Sequence, residues 1–142
     1  MISADTRQHL KMVREGSGYI GYKSIGNSFN QTWFSDLEEC TQIVEERSPD
    51  HDVYVSMANY PCPTQSREAK HAQKLCSFWL DIDAHPGSEY QTIEEVESAL
   101  EKFIQKSGLV KPTIVHKTGY GVHCFWPLAQ GQFWRKIRAN QL

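Results

Sequence analysis

The chain has 142 residues, of which 39% are hydrophobic, 11% aromatic and 23% charged, with a formal net charge of −2 at pH 7. That length supports one domain with a real core, and the composition is that of an ordinary globular domain rather than collagen, coiled coil or disordered chain. No apolar run approaches the roughly 18 residues of a membrane span, and the polar start MISADTRQHLKMVREGSG lacks the apolar stretch of a signal peptide, so a cytoplasmic location without membrane contact is expected.

GYIGYKSIG, residues 18–26, reads as a short strand weakened by its glycines. Ser35-Asp36-Leu37-Glu38 is a capping box that opens a helix running to about Arg47, and Ser48-Pro49-Asp50 ends it. DVYVSMANY, residues 52–60, alternates β-formers and predicts a second strand. PCPTQSREAKHAQK, residues 61–74, is a polar connection. LCSFWLDID, residues 75–83, predicts a strand whose continuous hydrophobicity suggests burial on both faces. Ala84-His85-Pro86-Gly87 breaks it. Thr92-Ile93-Glu94-Glu95 is a second capping box, and its helix is expected to bury Ile93, Val96, Leu100, Phe103 and Ile104 before Gly108 ends it. PTIVH and VHCFWPL flank KTGYG, so residues 112–128 read as a hairpin, with a further helix starting near Phe133. The order β-α-β, then β-α-β-β, predicts an α+β fold: a mixed sheet with flanking helices, in a single domain spanning residues 1–142.

Charge is unevenly placed. Residues 1–101 hold all 17 acidic residues and eight of the 15 Lys and Arg, a balance of −9; residues 102–142 hold the other seven and no acid, a balance of +7. Such asymmetry suggests that one end faces an anionic partner. Mutual neutralisation of the two halves is the competing explanation. The four cysteines, Cys40, Cys62, Cys76 and Cys124, form no CxxC pair, and Cys76 and Cys124 in apolar runs are expected as buried free thiols. Cys62, His71 and Cys76 could approach zinc, but their spacing fits no common zinc pattern and offers no fourth ligand.

The chemistry concentrates in three places. Asp81 and Asp83 end the strand SFWLDID one residue apart, so they share a face. Two carboxylates that close repel, and a hard divalent cation turns the repulsion into a ligand pair. The second place is Thr118-Gly119-Tyr120-Gly121-Val122-His123, where Gly121 leaves room for a phosphate to approach His123. The third is the set Arg67, Lys70 and Lys74 on the connection before the aspartates. Positive groups of this kind take up charge on the oxygens of a transferring phosphoryl group.

FWLDID and KTGYGVHCFW together resemble two motifs of the archaeo-eukaryotic primase superfamily, in particular primase-polymerases of phages and mobile elements. The first motif is a hydrophobic strand ending in Asp-x-Asp. The second is a small residue, any residue, then His, with Thr118 here at the usual serine position. The resemblance covers roughly residues 50–128. It implies an RRM-like core beside a small N-terminal α/β unit, Mg²⁺ or Mn²⁺ on Asp81 and Asp83, and His123 at the phosphates of the incoming nucleotide. The implied reaction is template-directed nucleotidyl transfer in DNA replication, with nucleoside triphosphates and a single-stranded DNA template as partners and a helicase domain or replication protein alongside. Lys117, Thr118, Gly119, Gly121 and Arg67 are the further candidates for nucleotide contact; Lys70, Lys74, Arg135, Lys136 and Arg138 are those for nucleic acid. The family also carries a third metal-binding acid after the histidine motif. No Asp or Glu follows Glu101 here. The expectation is therefore an N-terminal fragment of a longer primase, or a chain that has lost part of its site and is inactive alone.

Rival explanations use the same residues. Strand-end aspartates cap turns, and a histidine in an aromatic strand can be packing. A phosphatase with an Asp nucleophile also begins with Asp-x-Asp, but it wants Thr or Val where His85 stands. A metal-dependent glycosyltransferase needs a longer nucleotide-sugar domain. A non-catalytic nucleic-acid-binding module would use Phe125, Trp126, Phe133, Trp134 and the basic tail for stacking and phosphate contact.

Overall fold

The computed structural model describes residues 4–24, 26, 28–61 and 66–133. The chain divides into two compact units, Met1–Ser77 with Leu128–Leu142, and Phe78–Pro127.

In the first unit, helix α1 (Ala4–Val13) precedes strands β1 (Gly18–Lys23) and β2 (Asn30–Phe34), helix α2 (Leu37–Arg47) and strand β3 (Asp52–Val55). The sheet order is β2-β1-β3 with both ladders antiparallel, so Ile20 lies opposite Thr32 on one side and Val55 on the other. Its core is Leu10, Ile20, Phe34 and Cys40, packed by Leu37, Ile43, Val44 and Val53 among others. Strand β4 (Ala58–Asn59) pairs with the start of β5 (Lys74–Asp83) through Ala58 opposite Leu75.

The second unit holds the rest of β5, helix α3 (Ile93–Ser107), strand β6 (Ile114–Thr118) and strand β7 (Gly121–Phe133) as far as Pro127. The four-stranded sheet runs β4-β5-β7-β6. Helix α3 lays Val96 and Leu100 against Ala84, Val122 and Cys124, with Ile82, Tyr90, Ile93, Ile104 and Trp126 around them. Three contacts fix the direction of β5 against β7. The Ala84 amide donates to the Tyr120 carbonyl at 2.7 Å, Gly121 abuts Asp83, and His123 reaches Asp81. Residue numbers fall along one strand as they rise along the other, so the pair is antiparallel.

The α+β class, with sheets and flanking helices, is as the sequence predicts. Both helix starts have their caps. Thr92 Oγ1 accepts from the Glu95 amide at 3.2 Å, and Glu95 accepts from the Gln91 amide at 2.7 Å. Gly108 closes α3 at φ 71, in the left-handed region that suits glycine. At α2 the cap shifts by one residue: Asp36, not Ser35, takes the Glu39 amide, and Glu39 returns to the Ser35 amide. Cys76 and Cys124 are buried free thiols, as is Cys40.

Several expectations are corrected. Helix α1 and strand β2 are additional elements: NQTWF carries too few apolar residues to signal a strand, and its pairing with β1 makes it one. The predicted strand at 52–60 splits at Ser56-Met57 into β3 and β4, which belong to different sheets. Strand β1 stops at Lys23, and Ile25 lies outside the described residues. β5 is not buried on both faces: Phe78, Trp79 and Leu80 are 45%, 43% and 37% exposed. Phe103 is 45% exposed rather than buried. Phe133 ends strand β7 where a helix start was expected, and the residues after it lie outside the described set. No helix among the described residues is long and apolar enough to cross a membrane.

Candidate nucleotide site

Strand alternation sorts the second unit's sheet into two faces. Ile82, Val122, Cys124 and Trp126 pack on α3. Their neighbours point to the other face, open at Trp79, Asp81 and His123 and buried at Phe125: Trp79, Asp81 and Asp83 from β5, and Gly121, His123 and Phe125 from β7. On β6, the residues opposite these are Thr118, His116 and Ile114. The antiparallel registers arrange them as three rows. Asp83, Gly121 and Thr118 form the first, Asp81, His123 and His116 the second, and Trp79, Phe125 and Ile114 the third.

The Asp-x-Asp strand and the histidine hairpin, forty residues apart in sequence, meet in the second row. His123 Nε2 lies 3.1 Å from Asp81 Oδ1, with the two side chains 42% and 64% exposed. Directly across the hairpin from His123 stands His116, whose ring meets Phe125 edge-on at 6.1 Å between centroids. Reading along the sequence misses His116, because its partner is set by the register of β6 against β7.

Gly121 has a part in how the strands pack. A Cβ there would run into the Ile82 carbonyl oxygen and press on the Asp83 Cα. The bare glycine thus lets β7 close on β5 at the aspartates, and this approach brings His123 to Asp81. Gly119 faces open space and has no positive φ. Thr118 Oγ1 accepts from the Tyr120 amide at 3.3 Å and shapes the turn.

Lys117 falls on the other side. Its register partner is Val122, a residue of the α3 face, and its ammonium pairs with Glu97 of α3 at 2.6 Å. That carboxylate raises the Lys117 pKa through a hydrogen bond and its charge. Arg67, Lys70 and Lys74 belong to the first unit. Arg67 lies over the Phe29 ring at 5.4 Å, Lys70 pairs with Glu68 at 2.6 Å, and Lys74 with Glu15 at 3.5 Å. Arg135, Lys136 and Arg138 lie outside the described residues, as do Trp134 and Cys62. His71 Nδ1 is taken up by Ser66, 3.0 Å from its hydroxyl and 2.9 Å from its carbonyl.

Asp81 and Asp83 supply hard oxygen donors from one face of one strand. That donor chemistry fits Mg²⁺ or Mn²⁺, ions that complete their shells with water and substrate phosphate. Among the described residues no three His, Cys, Asp or Glu side chains converge into a cage. Among the described residues, Asp81 and Asp83 are the carboxylates that would hold such an ion. Comparison of the chain with protein-family models, with curated proteins and with solved structures gives no match.

Proposed function

We propose that this chain is the nucleotidyl-transfer domain of a primase or primase-polymerase, acting on nucleoside triphosphates along a single-stranded DNA template with Mg²⁺ or Mn²⁺. One observation carries the reading: the two sequence motifs converge on an open sheet face, with His123 against Asp81 at 3.1 Å. The β-α-β-β order of the unit that holds them supports the RRM-like core that belongs to this proposal.

In this reading Asp81 and Asp83 would hold the divalent cation at the triphosphate. When bound, that ion lowers the pKa of the attacking hydroxyl and supports the leaving oxygens. His123 donates a hydrogen bond to a phosphate oxygen while Asp81 orients the ring. The 3′-hydroxyl gives up its proton to water as its oxygen bonds to the α-phosphorus, the bond from that phosphorus to the bridging oxygen breaks, and pyrophosphate leaves. A cytoplasmic setting, with a helicase domain or replication protein as partner, completes the proposal. The competing reading, a non-catalytic nucleic-acid-binding module or inactive primase remnant, draws on the absence of a third converging acid among the described residues.

The test is incorporation of labelled nucleotide on a single-stranded template with Mn²⁺ or Mg²⁺, alongside calorimetric titration of the metal. Incorporation by the wild type that vanishes in Asp81→Ala, with metal binding weakened in Asp81→Asn and Asp83→Asn, is the expected result. Template binding without incorporation by the wild type favours the binding module. Equal metal binding by all three titrated proteins removes the aspartates from the site.

A further inference from the structure

The three rows of the open face differ in chemistry. The first two carry the carboxylates and imidazoles. The third, Trp79, Phe125 and Ile114, carries no charged side chain. We propose that this third row is the base-binding end of the site: the base of the nucleoside triphosphate stacks on the Trp79 indole while its phosphates lie at Asp81, His123 and His116. The inference rests on the nucleotide reading above and adds the residue that meets the base.

Trp79 leaves 43% of its surface in water on a face with no helix of its own unit across it. An indole so placed is a large flat apolar surface, and stacking a base on it removes that surface from water. Base stacking on an aromatic side chain accepts any base, since every base has a π-face, which suits an enzyme that must take four nucleotides in turn. Spacing agrees. Trp79 and Asp81 are two residues apart on one strand, about 7 Å, so a base on the indole keeps its own phosphates near the carboxylates. Phe125 is 8% exposed and gives the row a firm apolar floor beside the indole. No acid stands in the third row to repel the phosphates. Phe78 and Leu80, the neighbouring exposed residues of β5, alternate onto the α3 side and take no part.

The experiment uses the full chain in Mn²⁺, with wild type, Trp79→Ala and Trp79→Phe titrated against dATP, inorganic tripolyphosphate and an oligothymidylate. Trp79→Ala is expected to weaken dATP binding about tenfold and to leave tripolyphosphate binding unchanged. Trp79→Phe should recover most of the loss, because the aromatic face is kept; it also covers the case in which the alanine variant folds poorly. Equal dATP binding by wild type and a folded Trp79→Ala overturns the inference and leaves the nucleotide reading standing. So does a loss confined to oligothymidylate, which would assign the indole to the template strand. Wild type that binds neither dATP nor tripolyphosphate overturns the nucleotide reading, and this inference with it.

Discussion

His123 and Asp81 meet at 3.1 Å with roughly half of each side chain in water. An exposed pair of that kind contributes less than about 1 kcal/mol to folding, so His123 can be removed without endangering the hairpin. His123→Ala should therefore leave the thermal transition within a few degrees of wild type. It should weaken triphosphate binding by about 1.5–3 kcal/mol, the worth of a hydrogen bond to a charged group, as read by calorimetry. An alanine variant with no folded population to titrate would make the histidine a packing residue instead. Lys117 is the counter-case. It lies six residues before His123 on the same hairpin, but alternation sends it to Glu97. Sequence distance alone groups the two; the pleat separates them.

At the scale of the elements, the joint between β5 and β7 decides whether the rows form. Gly121→Ala forces a methyl group onto the β5 backbone, and overpacking of this kind costs about 1–3 kcal/mol. Gly119→Ala, one turn residue away, meets open space at an ordinary φ; it should be neutral or stabilise by about 0.4–1 kcal/mol through the unfolded chain. Urea midpoints of the two variants should move in opposite directions, or the first alone should fall. Two equal shifts would remove the close approach of β7 to β5 from the account. Helices α2 and α3 were legible because capping side chains and Gly108 mark their ends locally. Strand β2 was not, because Asn30, Gln31 and Thr32 carry no period and its existence depends on β1 beside it.

For the whole molecule, pH reports on the buried thiols. Burial pushes Cys40 up to about 11, with the Arg14 guanidinium pulling the other way. Burial also raises Cys76, Cys124 and Tyr60, and Glu97 raises Lys117. Every one of these groups holds its proton more tightly folded than unfolded. The stability they contribute is present in full below the unfolded values, and for Cys40 it is lost as pH rises from its ordinary 9.0 through about 11. Denaturation midpoints should thus fall across that window, and Cys40→Ala should flatten the fall even though it lowers stability at neutral pH. An unchanged slope in the variant would mean that other groups govern the alkaline transition. On the acid side, Glu39 is held low by its hydrogen bonds to Ser35, so its contribution is lost as pH drops below the ordinary carboxylate range.

Sequence by itself determined the α+β class, the two capped helices, the hairpin after residue 112 and the shared face of Asp81 and Asp83. Each of these follows from a local rule: a cap, an apolar period, a turn, an alternation. It also proposed the partnership of the Asp-x-Asp strand with His123. Only the tertiary structure decided that His116 joins that row and that Lys117 leaves it, because both depend on cross-strand register. Tertiary structure alone decided the exposure of Phe78, Trp79 and Leu80 as well. A continuous apolar run is the same string of residues whether one face of its strand is covered or two. What covers each face is set by packing at a distance: α3 reaches Ile82, Val122 and Cys124, but leaves Phe78 and Leu80 on the same side of β5 exposed.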